Sequence, residues 1–315
     1  MADVANPDPP VVSPGDEGRH APGAEELWNE SWYFDVADPA AEVGAYLRFG
    51  LYPNRSQTWF QIVVAGRDRP LTMLVDESAP LAVGDGLELD AGRWSAHLEA
   101  VTPLEIWRVT ARAQAQQFSD PTAVVRQEQG SPVEVEVDLT WTTVGPPYHY
   151  GRGSRYEVSS RVVGTVRVGD ETIELDAPGQ RDHSWGVRDW WAFGWCWSAG
   201  ALGDGTAFHA ADIRFGGSSV GFGYVVDAHG RSTPATRICV TEELDRDLVP
   251  TDARIAIEPG ALEVSMVPIA VSPIVFVSDD GRVSRMTRVL CRYSTPDGRT
   301  GSGWTEWNLL QEQPS

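Results

Sequence analysis

Cysteine is scarce in this chain: Cys196, Cys239 and Cys291 are the only three in 315 residues, and no pair has C-x-x-C spacing. So sparse and odd a set argues against a disulfide framework and points to buried thiols in a reducing compartment. Helical periodicity is scarce too, with short candidates only near 112–118 and 241–248. No apolar run approaches the roughly eighteen residues of a membrane helix. The N-terminal MADVANPDPPVVSPGDEGRHAPGAEE has neither the basic nor the apolar region of a secretory leader. Basic residues are outnumbered, 25 against 45 acidic, for a net charge of −20. That balance disfavours duplex nucleic acid, whose binding requires phosphate neutralisation, and stable insertion into or docking on anionic membranes. The expectation is a soluble, cytoplasmic protein.

What the chain has is short strands. Hydrophobic residues make up 42% of it, enough for a substantial core. Residues 1–24, rich in Pro, Gly, Ala and acid, are expected to be a disordered tail. From Leu27 onward, segments such as AYLRFGLYP, TWFQIVVAG, RWSAHLEAV and LEIWRVTARA are β-branched or aromatic and bounded by turn residues. In VEVEVDLTWT the residues Val133, Val135, Val137 and Leu139 alternate with Glu134, Glu136 and Asp138, the mark of a half-buried antiparallel strand. Gly169-Asp170, Gly203-Asp204-Gly205, Asp279-Asp280-Gly281 and Pro296-Asp297-Gly298 punctuate hairpins. The class is all-β. So many strands require closure or stacking, and two barrel-like halves are expected, residues 25–180 and 181–315.

The chemistry is concentrated in Gly179–Phe215. Five of the thirteen tryptophans lie between Trp185 and Trp197, with Arg181, Asp182, His183, Arg188, Asp189, His209, Asp212 and Arg214 threaded through. Aromatic surface with a few placed polar groups suits the wall of a small-molecule pocket. A serine hydrolase is disfavoured, because no G-x-S-x-G elbow exists and His183 and Ser184 point to opposite faces of a strand. A metal site from Asp182, His183, His209 and Asp212 is disfavoured by i, i+3 spacings on strands, so no metal is expected. Acid chemistry in an apolar pocket fits better. A carboxyl group among tryptophans keeps its proton, and aromatic faces stabilise a developing cation. Period two puts Phe208, Ala210 and Asp212 on one face of their strand and His209, Ala211 and Ile213 on the other, while His183 shares a face with Trp185. Some of this stretch can equally be inter-domain packing, with Arg181, Asp182, Arg188 and Glu157 as ion-pairing residues.

G-Q-R-D-H-S-W-G, followed by the tryptophan-rich strand and the Asp212 strand, resembles the carotenoid 1,2-hydratase (hydroxyneurosporene synthase) and AttH-like family. W-N-E-S-W-Y-F at Trp28–Phe34, G-R-G-S-R-Y-E at Gly151–Glu157 and G-W-T-E-W at Gly303–Trp307 are similar to an uncharacterised bacterial branch of it. The resemblance implies two lipocalin-like barrels in tandem and a large hydrophobic substrate, isoprenoid, steroid-like or polyketide-like. It implies Asp212 as general acid, His183 as its partner and Trp185 beside them, with no cofactor. Trp190, Trp195, Trp197, Phe208, Ala210 and Tyr150 would contact the substrate. Ala210 stands where the hydratase branch has a tyrosine. Terpene cyclases and Diels–Alderases share such double barrels, so hydration, cyclisation, pericyclic catalysis and non-catalytic carriage of a ligand stay open.

Overall fold

The computed structural model describes residues 11–151, 154–246, 249–259 and 262–311. The first half contains β1 (Trp28–Asp38), β2 (Val43–Tyr52), β3 (Gln57–Gly66), β4 (Leu71–Pro80), β5 (Leu87–Asp90), β6 (Trp94–Thr102), β7 (Ile106–Phe118), β8 (Ser131–Thr143), β9 (Tyr148–His149), β10 (Arg155–Val168) and β11 (Glu171–Val187). The second contains β12 (Gly194–Leu202), β13 (Ala207–Phe215), β14 (Ser218–Val226), β15 (Ser232–Pro234), β16 (Arg237–Leu244), β17 (Pro250–Glu258), β18 (Leu262–Val277), β19 (Val283–Ser294) and β20 (Thr300–Gln311). All pairings are antiparallel.

In the first sheet β1 joins β2 on one side and β11 on the other, and β4 pairs with β7 at Leu71–Met73, closing the sheet into a barrel. The second runs β15-β14-β13-β12-β20-β19-β18-β17-β16. Its ends curl together: Ala235 N donates to Gly223 O at 2.7 Å, and a Cβ on Gly221 would lie 2.7 Å from Ile238 Cβ. Gly221 therefore admits the approach of β16. These are the two barrel-like halves expected from the strand pattern, lipocalin-like as the family resemblance implies.

The alternation in β8 holds. Val135, Val137 and Leu139 are buried inside, while Glu134, Glu136 and Asp138 pair with Arg112, Arg167 and Arg108 outside. The expected helix near 112–118 is the end of β7, because Ala111, Ala113 and Ala115 alternate into the core with period two. The candidate near 241–248 is β16 as far as Leu244; residues 247–248 lie outside the described ones. The boundary expected near 180 falls instead between Val187 and Gly194, because β11 stays paired with β1 and β10 as far as Val187 and Ser184. Among the described residues no helix is long and apolar enough to cross a membrane.

The N-terminal segment also departs from expectation. Residues 1–10 lie outside the described ones, but residues 11–24 pack on the first barrel rather than forming a loose tail. A single 3-10 turn, Pro14–Glu17, drives the Glu17 carboxylate into the end of the barrel. There it accepts from Arg181 Nη1 (2.8 Å), Tyr156 OH (2.6 Å), Leu104 N (3.1 Å) and Trp107 Nε1. Burial raises the Glu17 carboxyl's proton affinity, but Arg181 and these donors outweigh it and hold the group below its ordinary range.

Each barrel has its own interior. Trp32, Phe34, Phe60, Trp94, Trp107 and Trp141 fill the first, and Phe208, Ile255, Val264, Tyr293 and Trp307 the second. A third apolar cluster lies between the barrels: Tyr33, Tyr46, Tyr52 and Trp59 from the first meet Trp190, Trp191, Trp195, Trp197, Phe276 and Trp304 from the second. Ser302 Oγ to Ala37 O (2.8 Å) and Trp304 Nε1 to Val36 O (3.0 Å) stitch this seam.

Candidate functional site

The seam is where the strands turn their second faces. In β11, Arg181 and His183 point into the first barrel, so Gln180, Asp182 and Ser184 point at the seam. In β13, Phe208 and Ala210 belong to the core of the second barrel, so His209, Ala211 and Ile213 point at the seam. Between them is a cavity of about 350 Å³, walled by Tyr150, Trp185, Phe193, Trp195, Trp197 and Phe222. Arg155, Arg188, Ser184, Asp189 and Glu306 are its polar lining. A larger hollow of about 960 Å³ opens at the β5–β6 edge, where apolar side chains such as Leu89, Ala96, Ala111 and Val137 meet solvent-facing charges that pair with one another, such as Glu136 with Arg112 and Arg167.

Beneath the aromatic wall lies a buried polar network. Glu157, fully buried, accepts from Arg155 Nε (2.8 Å), Trp197 Nε1 (3.0 Å) and Gln180 Nε2 (2.9 Å). Arg155 Nη2 also reaches Asp182 Oδ2 at 2.9 Å, so two carboxylates share one guanidinium. Burial, followed by the neighbouring Glu157, pushes the Asp182 carboxyl up against the pull of Arg155. His209 Nδ1 donates to Ser198 O (3.1 Å), which leaves Nε2 to accept the Tyr150 hydroxyl at 2.8 Å. Burial, followed by repulsion from Arg155, lowers His209 to about 3, so the ring is neutral. Arg288 sits over Tyr33 at 4.1 Å and pairs with Glu306, which accepts Trp195 Nε1 at 2.7 Å. Asp35 accepts Tyr33 OH and Gln180 N, both at 2.8 Å, and burial pushes its carboxyl up to about 7.

Of the residues expected from sequence, Tyr150, Trp185, Trp195, Trp197 and Arg188 line this cavity, with Asp182 and Glu157 in the network below. Trp190 stands at its inner end, its Nε1 donating to Tyr52 OH at 2.9 Å. The juxtaposition of His183 and Asp212 is not formed, because each lies on the sheet of a different barrel and points into its own. His183 stacks on Trp32 at 4.4 Å, with Nε2 2.9 Å from Glu30 Oε1 and Nδ1 2.7 Å from Asp16 O. Asp212 is bound by Arg214 Nε at 2.9 Å, and Arg214 by Glu242, within reach of Trp307. Phe208 and Ala210 are likewise core residues of the second barrel; Phe208 packs on Tyr293 at 5.1 Å. Arg181 is the partner of Glu17.

Among the described residues one cluster has metal-ligating donors, His20, Glu30 and His183. Both histidines meet the same Glu30 oxygen, at 2.6 and 2.9 Å. That is hydrogen-bond spacing, tighter than the roughly 3.3 Å that separates ligands around a tetrahedral zinc. His20 also stacks on Trp185 at 3.8 Å.

Sequence reasoning missed Arg48, Gln61, Arg288 and Glu306 as parts of the site, and weighed His209 only as a metal ligand. The available signal was a lone charge or amide in an otherwise apolar strand: Arg48 in AYLRFGLY, Gln61 in WFQIVV, Glu306 in GWTEW. The quoted motifs converge here. Asn29 comes from W-N-E-S-W-Y-F, Arg155 from G-R-G-S-R-Y-E, Asp182 and Ser184 from D-H-S-W-G, and Glu306 from G-W-T-E-W.

Known structures share this double-barrel arrangement. An AttH-like protein from Nitrosomonas europaea superposes with a TM-score of 0.64 at 17% identity, covering 98% of this chain and 99% of that one. Kievitone hydratase from Nectria haematococca gives 0.61 at 13% identity, with 96% and 94% covered. CghA gives 0.56 at 11% identity, with 92% and 90% covered. At these identities the likeness is one of fold. Curated protein sequences give no match. A family model described as "Domain of unknown function (DUF7064)" matches residues 13–311, and the chain belongs to that family.

Proposed function

We propose that the protein is an enzyme that binds a large hydrophobic small molecule in the inter-barrel cavity and acts on it by proton transfer. One observation carries this reading: a small pocket adjoining the aromatic-walled cavity is lined by a buried carboxyl, Asp182, that shares its guanidinium partner with a second carboxylate. Such a carboxyl holds its proton to higher pH than an exposed one. Asp182, rather than Asp212, is therefore assigned as the acid. It would donate its proton to an alkene carbon or a carbonyl oxygen. The faces of Trp195 and Trp197 would stabilise the resulting cation. Water adding to that cation, with loss of a proton, gives hydration; an internal alkene adding, with loss of a proton from the new ring cation, gives cyclisation. Tyr150, hydrogen-bonded to neutral His209, is positioned as the second proton carrier. Proton transfer of this kind needs no cofactor. That kievitone hydratase has the same fold supports the reading.

The test is incubation with candidate isoprenoid polyenes in D2O, followed by mass spectrometry of the recovered small molecule. Deuterium or added water in the product is expected with the natural chain and at least a hundredfold less with Asp182→Asn, in line with loss of a general acid. Every polyene returning bound but chemically unaltered and deuterium-free would favour the carrier reading instead.

A further inference from the structure

We propose that the inner end of the seam cavity is an oxyanion-binding subsite, built on Arg48, Arg188 and Gln61, that takes the carboxylate of a substrate whose apolar body lies against Trp195 and Trp197. The inference rests on the cavity being the substrate site, and it adds a class: an apolar carboxylic acid rather than a pure hydrocarbon.

Two arginines here lack what the others have. Arg155, Arg181, Arg214 and Arg288 each hold a carboxylate. Among the described residues no carboxylate lies within ion-pair distance of Arg48 or Arg188. Arg48 is 6% exposed, its Nη2 is only 3.5 Å from Asn29 Oδ1, and its Nη1 has no partner. Arg188, half-buried with the cavity in front of it, makes a 3.3 Å contact to Ser184 Oγ. Both guanidinium groups lie over the ring of Trp190, at 5.2 and 5.1 Å, which fixes their positions without neutralising them. An uncompensated buried cation is costly, so the site favours an anion.

The space in front of them agrees. A small pocket of about 20 Å³, room for one or two oxygen-sized atoms, shares Arg155, Ser184, Arg188, Trp197 and Glu306 with the main cavity. Three of its lining groups have buried N–H atoms without an acceptor: Arg48 Nη1, Gln61 Nε2 and Arg288 Nη1. The acidic side chains that also face it are engaged, Asp182 with Arg155 and Glu306 with Arg288 and Trp195. Glu77, the acidic group within electrostatic reach of Arg48, is itself pushed up to about 7 by burial, which weakens it as a counter-ion. Burial, then repulsion from Arg155 and Arg48, lowers Arg188 to about 10. Planar guanidinium forks with unpaired N–H groups match a carboxylate's two oxygens. The backbone makes room as well, since a Cβ on Gly50 would lie 2.7 Å from Arg48 Nη1.

The experiment titrates the full chain with all-trans-retinoic acid and, separately, its methyl ester at pH 7.5, following the quenching of tryptophan fluorescence. The acid is expected to bind at least tenfold more tightly than the ester. Arg48→Met and Arg188→Met should each reduce that preference below threefold while leaving the ester's affinity in place, which also reports that the variants are folded. Gly50→Ala, which displaces the Arg48 guanidinium without removing its charge, should act in the same direction. Equal binding of acid and ester overturns the subsite and leaves the cavity reading standing. A tenfold preference that survives both arginine variants also overturns it, because the carboxylate is then recognised elsewhere. If neither probe binds, both readings fall.

Discussion

Replacing Asp35 by asparagine should change the pH dependence of stability in a direction that the structure fixes. Asp35 is 3% exposed, accepts Tyr33 OH and Gln180 N, and has its carboxyl pushed up to about 7 from an ordinary 3.8. A carboxyl with a raised folded pKa binds more protons folded than unfolded between those two values. Its contribution to stability is therefore greatest below about 4, is lost as pH rises toward 7, and is constant above that. Integrated between pH 5 and pH 8 for this pair of values, the loss is about 2–3 kcal/mol. The amide of Asp35→Asn is neutral at every pH and keeps a carbonyl to accept Gln180 N. Urea unfolding of both proteins at pH 5 and pH 8 isolates the effect, since Glu77 and Asp182 are common to both and cancel in the difference. The variant should gain on the natural protein by about 2–3 kcal/mol from the lower to the higher pH. An unchanged difference at the two pH values would refute the assignment of a raised pKa to Asp35.

Other perturbations follow from the same contacts. Glu17→Ala leaves Arg181 buried without its carboxylate and should cost about 3–5 kcal/mol, read as a lowered denaturant midpoint. Trp197→Phe keeps most of the ring but removes the N–H that Glu157 accepts, and should cost about 1–3 kcal/mol in the same assay. Asp212→Asn should leave turnover of any substrate found within twofold of the natural chain, because its carboxylate is held by Arg214 inside the second barrel; a loss matching that of Asp182→Asn would return the acid's role to Asp212.

The strand pattern carried most of the fold. Alternation in β8 and the glycine-bearing hairpin turns follow from local chemistry, and local chemistry is what a sequence displays. The site was half legible. Period two correctly grouped Phe208 with Ala210 and Asp212, and His209 with Ala211 and Ile213, but it could not say which group faces the cavity. Both faces of β13 are apolar, one because it lines a barrel and the other because it lines the seam. Asp182 and Asp212 could be told apart only once β11 and β13 were assigned to different sheets. Glu17 was illegible for another reason. It lies in a segment with the composition of a tail, and its partners Leu104, Trp107, Tyr156 and Arg181 are scattered along the chain.

The place of β1 in the first sheet has a consequence for how the chain is made. β1 completes its barrel only by pairing with β11, Trp28 against Val187, so the first strand of this barrel waits for its last. β12 likewise waits for β20, Trp195 against Asn308. Contacts so distant along the chain close slowly. Until Glu306 arrives with β20, Arg288 and Trp195 lack the carboxylate they share and the cavity lacks one of its lining groups. Binding competence should therefore be among the last properties a refolding chain acquires, after most of its β-structure has formed.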